Sequence, residues 1–204
     1  SRLKSLRFKA DFNLDITKAV AKHSLYYSPD PSSQKSCTIG GNVAENAGGP
    51  HCLKYGVTTN FVLGMEVVLE DGTVVDLGGY PEAQPGYDLR GAFIGGEGTL
   101  GIATKILVRL SRKPSITRTF MAIFADLDSA STAVTQIIGA RIVPAALEMI
   151  DALAIKAIEN ARPMGYPRDA GAVLLIEIEG LAEDVSEESE AITSICEELG
   201  VREI

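Results

Sequence analysis

Two glycine pairs bracket a polar segment in the stretch Cys37-Thr-Ile-Gly-Gly-Asn-Val-Ala-Glu-Asn-Ala-Gly-Gly49. Glycine lets backbone N–H groups approach a ligand without a Cβ in the way. A run of such amides can form a nest for an anionic group such as a pyrophosphate. The side chains of Asn42 and Asn46 add donors and acceptors. The alternative is a pair of turns that hold no ligand, and the pattern alone leaves both open.

A second glycine-rich stretch, Phe93-Ile-Gly-Gly-Glu-Gly-Thr-Leu-Gly-Ile102, runs directly into a predicted strand. It does not have the G-x-G-x-x-G spacing followed by a helix, so it is not a Rossmann fingerprint. Its glycines permit close approach of the backbone. We interpret it either as a wall against an adenine or ribose, or as a barrel corner or bulge.

The segments around these stretches have readable periodicity. Residues Asn13 to His23 predict a helix capped by Asn13 or Asp15, whereas the two prolines in Ser28 to Ser33 exclude one. Two β-type runs, Phe61 to Leu69 and Thr73 to Leu77, flank Asp71-Gly72 and predict a hairpin. Ile102 to Leu110 predicts a strand, with Lys105 and Arg109 on one face and Ile102, Ile106, Val108 and Leu110 on the other.

The composition changes near Arg112-Lys113-Pro114, after which glycines become rarer. From there strands and helices alternate, which predicts a small α+β layer. The predicted order is strand Thr117–Ala125, helix Ser129–Ile138 capped by Asp128, strand Ala145–Ile150, helix Ala152–Glu159, strand Ala172–Glu179 and helix Asp184–Leu199 ending at Gly200.

Composition excludes several classes of protein. Of 204 residues, 46% are hydrophobic and 23% charged, as in ordinary globular proteins, and no apolar run is long enough for a membrane span. The net charge of −8 argues against a nucleic-acid partner. Three cysteines fit a reducing, cytoplasmic location, and two histidines, His23 and His51, argue against a zinc site. The basic N-terminus has no apolar region after it, so no secretory signal is expected.

Five ordered motifs together resemble the FAD-linked oxidases of the vanillyl-alcohol oxidase superfamily, with a PCMH-type FAD-binding domain. Within it, the resemblance is greatest to the branch of the glycolate oxidase FAD subunit and the D-lactate and D-2-hydroxyglutarate dehydrogenases. Pro144-Ala-Ala-Leu-Glu148 resembles the start of the family's cap domain. The motifs are Tyr27-Ser-Pro-Asp-Pro-Ser-Ser33, Thr38 to Gly49, Lys54-Tyr-Gly56, Gly86-Tyr-Asp-Leu89 and Gly95-Gly-Glu-Gly-Thr-Leu-Gly-Ile102.

The resemblance implies an α+β fold, with the second half of a PCMH-type FAD-binding domain (residues 1–112) followed by the start of a ferredoxin-like cap domain (residues 113–204). It implies FAD as cofactor and an oxidoreductase acting on a 2-hydroxy acid of the glycolate or D-lactate type. The flavin would accept a hydride from the carbon that bears the hydroxyl. Partner subunits or a homo-oligomer, and a cytoplasmic location, are also expected.

The resemblance also assigns site residues by position. The flavin cleft would be lined by Pro29, Asp30, Pro31 and Ser32. The isoalloxazine and pyrophosphate would face Thr38, Ile39, Gly40, Gly41, Asn42, Asn46, Ala47, Gly48 and Gly49. Tyr55 and Gly56 would continue that wall. Glu97, Gly98, Gly101 and Ile102 would close over the adenosine end, mostly through backbone atoms.

The chain departs from the family at two places. Its first glycine is Gly40, so the family's upstream pyrophosphate loop has no counterpart, and no histidine follows His51, where the relatives place metal ligands. Neither catalytic residues nor metal ligands are therefore assigned, and local packing or hydrogen bonding is the favoured interpretation of His51. A cleft with only half of its surface would lower FAD affinity by several powers of ten, and each power of ten corresponds to about 1.4 kcal/mol. We therefore expect this chain alone to bind FAD weakly or not at all. A non-catalytic scaffold and a cleft completed by a separate chain remain alternatives.

Overall fold

The computed structural model describes residues 12–79 and 86–204, which separate into two compact units between Lys113 and Pro114. Helices and strands are numbered along the chain. The first unit contains α1 (Asn13–Val20), β1 (Leu25–Tyr26), α2 (Ile39–Glu45), α3 (Cys52–Tyr55), β2 (Val62–Val68), β3 (Val74–Gly78), α4 (Leu89–Phe93), β4 (Ile102–Val108) and β5 (Ser111–Arg112).

An antiparallel sheet of order β3-β2-β4 forms the centre of the first unit, and β1 pairs with β5 beside it. The predicted hairpin is confirmed. Of its two turn residues, Asp71 and Gly72, only Gly72 has a positive φ, of 82°. Met65 and Val67 of β2 face a core that also holds Val43 and Phe93. Helices α2 and α4 thus cover one face of this sheet.

A bulge changes the predicted faces of β4. Ile102 was expected on the same face as Ile106, but it is 68% exposed. The pairing with β2 shifts register between Glu66 and Val67, so that Thr104 is an extra residue on β4. An extra residue reverses the alternation of side chains. Ile106 therefore faces the core, and Ile102 faces the opposite side.

The first glycine-rich stretch is a helix, not a nest of amides. Helix α2 begins after Thr38, whose Oγ1 accepts a hydrogen bond from Gly41 N at 3.0 Å. The amide of Asn42 donates to Thr38 O at 3.0 Å, and that of Ala47 donates to Asn42 O at 2.9 Å. The predicted nest over Asn42–Ala47 is wrong because its amides are used within the helix and its end.

Helix α1 confirms the helix predicted from Asn13, with a short 3-10 turn after it, but its cap differs. Phe12 occupies the N-cap position, and no side chain caps the helix. Asn13 is buried instead, and its Nδ2 donates to Pro29 O at 3.0 Å. This bond holds the proline segment against α1. As predicted, the segment is not helical.

The second unit confirms the predicted β-α-β-α-β-α order. Its strands form an antiparallel sheet of order β6-β8-β7, with β8 paired on both sides. The elements are β6 (Ile116–Phe124), α5 (Leu127–Gly139), β7 (Ala146–Asp151), α6 (Ala152–Ala161), β8 (Ala172–Gly180) and α7 (Ala182–Glu198).

Two apolar clusters fill the second unit. One joins Leu174 and Ile176 of β8 to Ile137 of α5 and Ile192 of α7. The other joins Val173, the neighbour of Leu174, to Ile155 of α6. Because neighbouring strand residues point to opposite faces, α5 and α7 cover one face of the sheet and α6 covers part of the other.

Polar side chains fix the helix ends of the second unit. Asp126, not the predicted Asp128, caps α5, and its Oδ1 accepts a hydrogen bond from Ser129 N at 2.7 Å. This bond lowers the pKa of Asp126 below its usual value. Helix α7 ends before Gly200, whose φ of 74° is the left-handed conformation expected after a helix.

Candidate cofactor site

The two glycine-rich stretches meet at the C-terminal end of α2. Gly95 N donates to Val43 O at 2.9 Å, and Glu97 N donates to Ala44 O at 2.9 Å. The last carbonyls of a helix lack partners within it, and the second stretch supplies two. The two glycine-rich stretches, which lie about fifty positions apart in the sequence, are thus joined by direct backbone bonds.

Asn46 ends α2 in the left-handed conformation, with φ of 48°. Its side-chain Oδ1 accepts a hydrogen bond from Thr59 N at 2.9 Å. The next carbonyl, of Ala47, accepts from both the amide and the hydroxyl of Thr58, at 3.1 and 2.8 Å. The acceptor oxygen of Asn46, which the sequence assigned to a cofactor, is therefore bonded within the protein.

The second glycine pair is packed against the proline segment. A Cβ on Gly49 would lie 2.5 Å from both the backbone oxygen and the Oδ1 of Asp30. The Oδ2 of Asp30 lies 2.6 Å from His51 Nδ1. This contact confirms local hydrogen bonding for His51. Pro29 and Pro31 beside Asp30 are buried, so this part of the predicted cleft is held together by its own contacts.

The N-terminal half of α2 is more open. A Cβ on Gly40 would meet only Ala103 O, at 3.8 Å, which is ordinary contact. Asn42 is 3% exposed, and its Nδ2 has no hydrogen-bond partner among the described residues. An unpaired buried donor costs about 1–3 kcal/mol. The donor that Asn42 presents suits a carbonyl or ring nitrogen of a flavin, so the residues here fit FAD.

The residues assigned to the adenosine end differ in role. A Cβ on Gly101, whose φ is 144°, would lie 2.6 Å from Val68 O. The absence of a side chain on Gly101 thus permits close approach of β2. This favours the bulge interpretation of the second glycine-rich stretch. Gly98 has open space around it, with φ of 77°. The apolar side chains of Leu100 and Ile102 are 52% and 68% exposed. This segment therefore combines an open backbone with an apolar surface.

Three tyrosines, Tyr26, Tyr27 and Tyr55, are packing residues in this unit. Tyr55 meets Tyr26 edge to face, with ring centroids 6.3 Å apart, and Gly56 follows with φ of 83°. Tyr27 meets Phe61 in the same way at 6.1 Å. Burial raises the pKa of Tyr27 above its ordinary value, which keeps the phenol neutral.

Sequence reasoning did not identify Asn13 and Thr58 as residues that support this site. Asn13 binds the proline segment and Thr58 binds the end of α2, as described above. For Asn13 the signal was its position one turn before Ile16 on the apolar face of α1, where a polar residue needs a partner. Thr58 gave no signal, because its partner is a carbonyl eleven residues away.

The described residues contain neither a candidate metal site nor a candidate membrane-spanning helix. Within residues 12–79 and 86–204, no three His, Cys, Asp or Glu side chains come together in a group that could hold a metal ion. In the same ranges, no helix combines the length and the apolar character needed to cross a bilayer.

Two family models match this chain. Residues 13–78 match the FAD binding domain, and residues 113–204 match the C-terminal domain of FAD linked oxidases. The prediction of FAD as the cofactor is confirmed by these matches. The two matched ranges lie on either side of the unmatched residues 79–112.

Known proteins resemble the chain over most of its length. It is 47% identical over 192 residues to the glycolate oxidase subunit GlcD of Escherichia coli K12, which covers 94% of this chain and 38% of that protein. It is 33% identical over 183 residues to D-lactate dehydrogenase of Anaerostipes hadrus, covering 85% of this chain and 38% of that protein. The chain therefore spans less than half the length of these relatives.

A solved structure has the same fold. Alkyldihydroxyacetonephosphate synthase superposes with a TM-score of 0.81 at 20% identity, covering 93% of this chain and 37% of that one. The α+β fold of a PCMH-type FAD-binding domain and an oxidase C-terminal domain is thus confirmed. As the ordered motifs predicted, the chain thus contains regions similar to the FAD binding domain and to the C-terminal domain of FAD linked oxidases.

Proposed function

We propose that the protein carrying this chain is a FAD-dependent oxidoreductase that acts on a 2-hydroxy acid of the glycolate or D-lactate type. The main support is the 47% identity to a glycolate oxidase subunit over nearly the whole chain. The structure adds that both glycine-rich stretches meet on α2, beside the buried donor of Asn42. FAD, when bound, supplies an acceptor for the hydride from the hydroxyl-bearing carbon.

The contacts within the protein place twelve of the nineteen predicted cofactor residues in two groups. We assign direct contact with FAD to the start of α2, from Thr38 to Asn42, and to Glu97 and Gly98. Space remains at Gly40 and Gly98, and the side chain of Asn42 keeps a donor without a partner among the described residues. Asp30, Asn46, Gly49, Gly56 and Gly101 act as positioning residues, since their polar atoms or missing Cβ atoms are used by neighbouring protein.

The remaining predicted residues complete the surface between these groups. Pro29, Pro31 and Ser32 form the proline side of the proposed cleft, while Ala47, Gly48 and Tyr55 line its floor. Ile102 is 68% exposed at the proposed adenosine end. An adenine lying on Leu100 and Ile102 would cover apolar surface, which is favourable at about 25 cal/mol per Å².

The domain organisation and partners follow from the same proposal. Residues 1–112 would form the second half of the FAD-binding domain and residues 113–204 the beginning of the cap domain. Because the GlcD relative is named as a subunit, we propose that partner subunits or a second copy join the active protein. A cytoplasmic location is part of the proposal.

The intact gene product tests the activity. After purification with excess FAD removed, we expect visible flavin absorbance that is bleached anaerobically by glycolate or D-lactate. Two matched controls are L-lactate, which has the opposite stereochemistry, and succinate, which has no hydroxyl. An intact product that retains no FAD, alone or with its partner subunits, would contradict the proposal and favour the scaffold alternative.

The 204-residue chain tests the division of the cleft. Titration of FAD into this chain, followed by quenching of flavin fluorescence, should give an affinity at least about a thousandfold weaker than that of the intact product, which corresponds to about 4 kcal/mol. Stoichiometric flavin that copurifies with the chain would show that residues 1–204 already contain the complete binding surface.

A further inference from the structure

A groove lies between β6 and α7 in the second unit, and none of its lining residues is among those proposed to contact FAD. Its volume is about 380 Å³, which falls in the range of small-molecule sites. Arg118 and Phe120 of β6 line one side, and α7 lines the other with Ser189, Glu190, Thr193, Ser194 and Glu197. The groove thus combines one cation, one aromatic ring, three hydroxyls and two carboxylates.

The sheet topology gives the groove two ends. Strand β8 is antiparallel to β6, and α7 follows β8 after a single residue, so α7 runs in the same direction as β6. Arg118 Nη1 donates to Ser189 Oγ at 3.0 Å, which places the guanidinium beside the first half of α7. Phe120 lies two residues further along β6. Glu197 follows Glu190 by two helical turns, about 10 Å along the helix.

Arg118 is anchored but not neutralised by an ion pair. Ser189 is 5% exposed, and its hydroxyl donates to Val185 O while it accepts from Arg118. Among the described residues, no carboxylate lies within ion-pair distance of the Arg118 guanidinium. Guanidinium has five N–H donors in a planar fork. Several donors therefore remain for a carboxylate that enters the groove.

The surrounding charge selects against a simple anion. Residues 114–204 hold 16 acidic and 6 basic side chains. Glu190 lies at the same end of the groove as Arg118 and offsets its long-range attraction for anions. At the other end, Glu197 offers a carboxylate to a cation. A ligand with a positive group at one end and a carboxylate at the other satisfies both ends.

We propose that this groove binds a small linear zwitterion. Its carboxylate pairs with Arg118, its ammonium pairs with Glu197, and its apolar stem lies on Phe120. The hydroxyl of Thr193 donates to Ser189 O at 2.9 Å and stands beside the stem, where it accepts one further hydrogen bond. This site does not depend on the proposed oxidoreductase activity, because none of its residues belongs to the proposed FAD site.

The test uses the 204-residue chain and three matched probes: 6-aminohexanoate, hexanoate and hexylammonium. Binding is followed by ¹H–¹⁵N chemical shifts of Phe120, Thr193 and their neighbours. We expect 6-aminohexanoate to bind with millimolar affinity, and each single-charge probe to bind at least about tenfold more weakly, since each loses one charge-assisted contact.

Variants assign the two ends. Arg118→Gln should weaken binding of 6-aminohexanoate at least about tenfold and leave binding of hexylammonium unchanged. Glu197→Gln should weaken binding of 6-aminohexanoate to the same extent and leave binding of hexanoate unchanged. Arg162→Gln and Glu198→Gln remove the same charges outside the groove and should change nothing. Circular dichroism confirms that each variant is folded.

Three results would overturn the proposal. One is an absence of shifts around Phe120 at high millimolar 6-aminohexanoate. Another is equal binding of hexanoate and 6-aminohexanoate, which would show that the ammonium is not recognised. The third is a folded Arg118→Gln variant that binds all three probes as the parent chain does.

Discussion

Gly49→Ala is a substitution for which the structure predicts severe local damage. The new Cβ would lie 2.5 Å from the backbone oxygen of Asp30 and 2.6 Å from its carbonyl carbon. Backbone atoms cannot rotate away as the end of a flexible side chain can. The proline segment would have to move by about 1 Å to restore van der Waals contact.

The magnitude follows from two costs and one gain. Inserting a methyl group into packed backbone costs about 1–3 kcal/mol. A shift of the segment also breaks the 2.6 Å contact between Asp30 and His51, whose side chains are 21% and 27% exposed. A charge-assisted bond of this burial contributes about 1–2 kcal/mol. Lower backbone entropy in the unfolded chain returns about 0.4–1 kcal/mol. We expect a net loss of about 1–5 kcal/mol.

Two glycines of α2 provide matched controls. Gly40→Ala places its Cβ 3.8 Å from the nearest atom and should stabilise the helix by about 0.5–1 kcal/mol. Gly41→Ala places its Cβ 3.1 Å from Thr38 Oγ1, the hydroxyl that caps α2, and should be intermediate. The three substitutions make the same chemical change within ten residues, so their order depends on local packing and on the helix propensity gained at Gly40 and Gly41.

Urea unfolding followed by tyrosine fluorescence measures these differences. Five of the six tyrosines precede Lys113, so the signal reports mainly on the first unit. The midpoint should fall in the order Gly40→Ala, Gly41→Ala, Gly49→Ala. If Gly49→Ala unfolds at the same urea concentration as Gly40→Ala, the close packing of Asp30 on Gly49 does not stabilise the unit, and the positioning role assigned to Asp30 is wrong.

Three further substitutions test other parts of the chain. Thr38→Ala should cost about 1 kcal/mol through loss of the cap of α2, and Thr38→Ser should retain it, by the same urea assay. Asn42→Leu should keep or raise the stability of the chain but lower FAD retention by the intact product, because a buried unpaired donor is removed. Glu159 accepts amide bonds from Met164 and Tyr166, which lower its pKa below 4.5. Its stabilisation is therefore present at pH 7 and lost as the pH falls below about 4.5, so thermal melts of Glu159→Gln should approach those of the parent chain in acid.

The elements that the sequence predicted well are those with a local cause. The hairpin at Asp71-Gly72 needs only a residue that accepts positive φ between two β-type runs. The alternation of strands and helices after Pro114 is encoded in apolar periodicity within each segment. Both were correct because neighbours in the sequence determine them.

The start of the cofactor site was not predictable in this way. Two adjacent glycines lower the helix propensity of Ile39–Glu45 by about 1 kcal/mol each relative to alanine. The helix forms because Thr38 caps it and because Gly95 and Glu97 bind its last carbonyls. The two amides come from another part of the chain. Likewise, the exposed position of Ile102 depends on a register shift that only the pairing of β2 and β4 determines.

The glycines of the first motif therefore do not share one role, although the sequence assigned all of them to the cofactor. Gly40 has room for a side chain, and an absent Cβ there matters only if another molecule approaches. Gly49 has no room, because Asp30 already occupies the space. A stability measurement should show a loss only for the second kind of glycine, while FAD affinity should respond to both. We therefore propose that the open glycine, and not the packed one, marks the position of the cofactor.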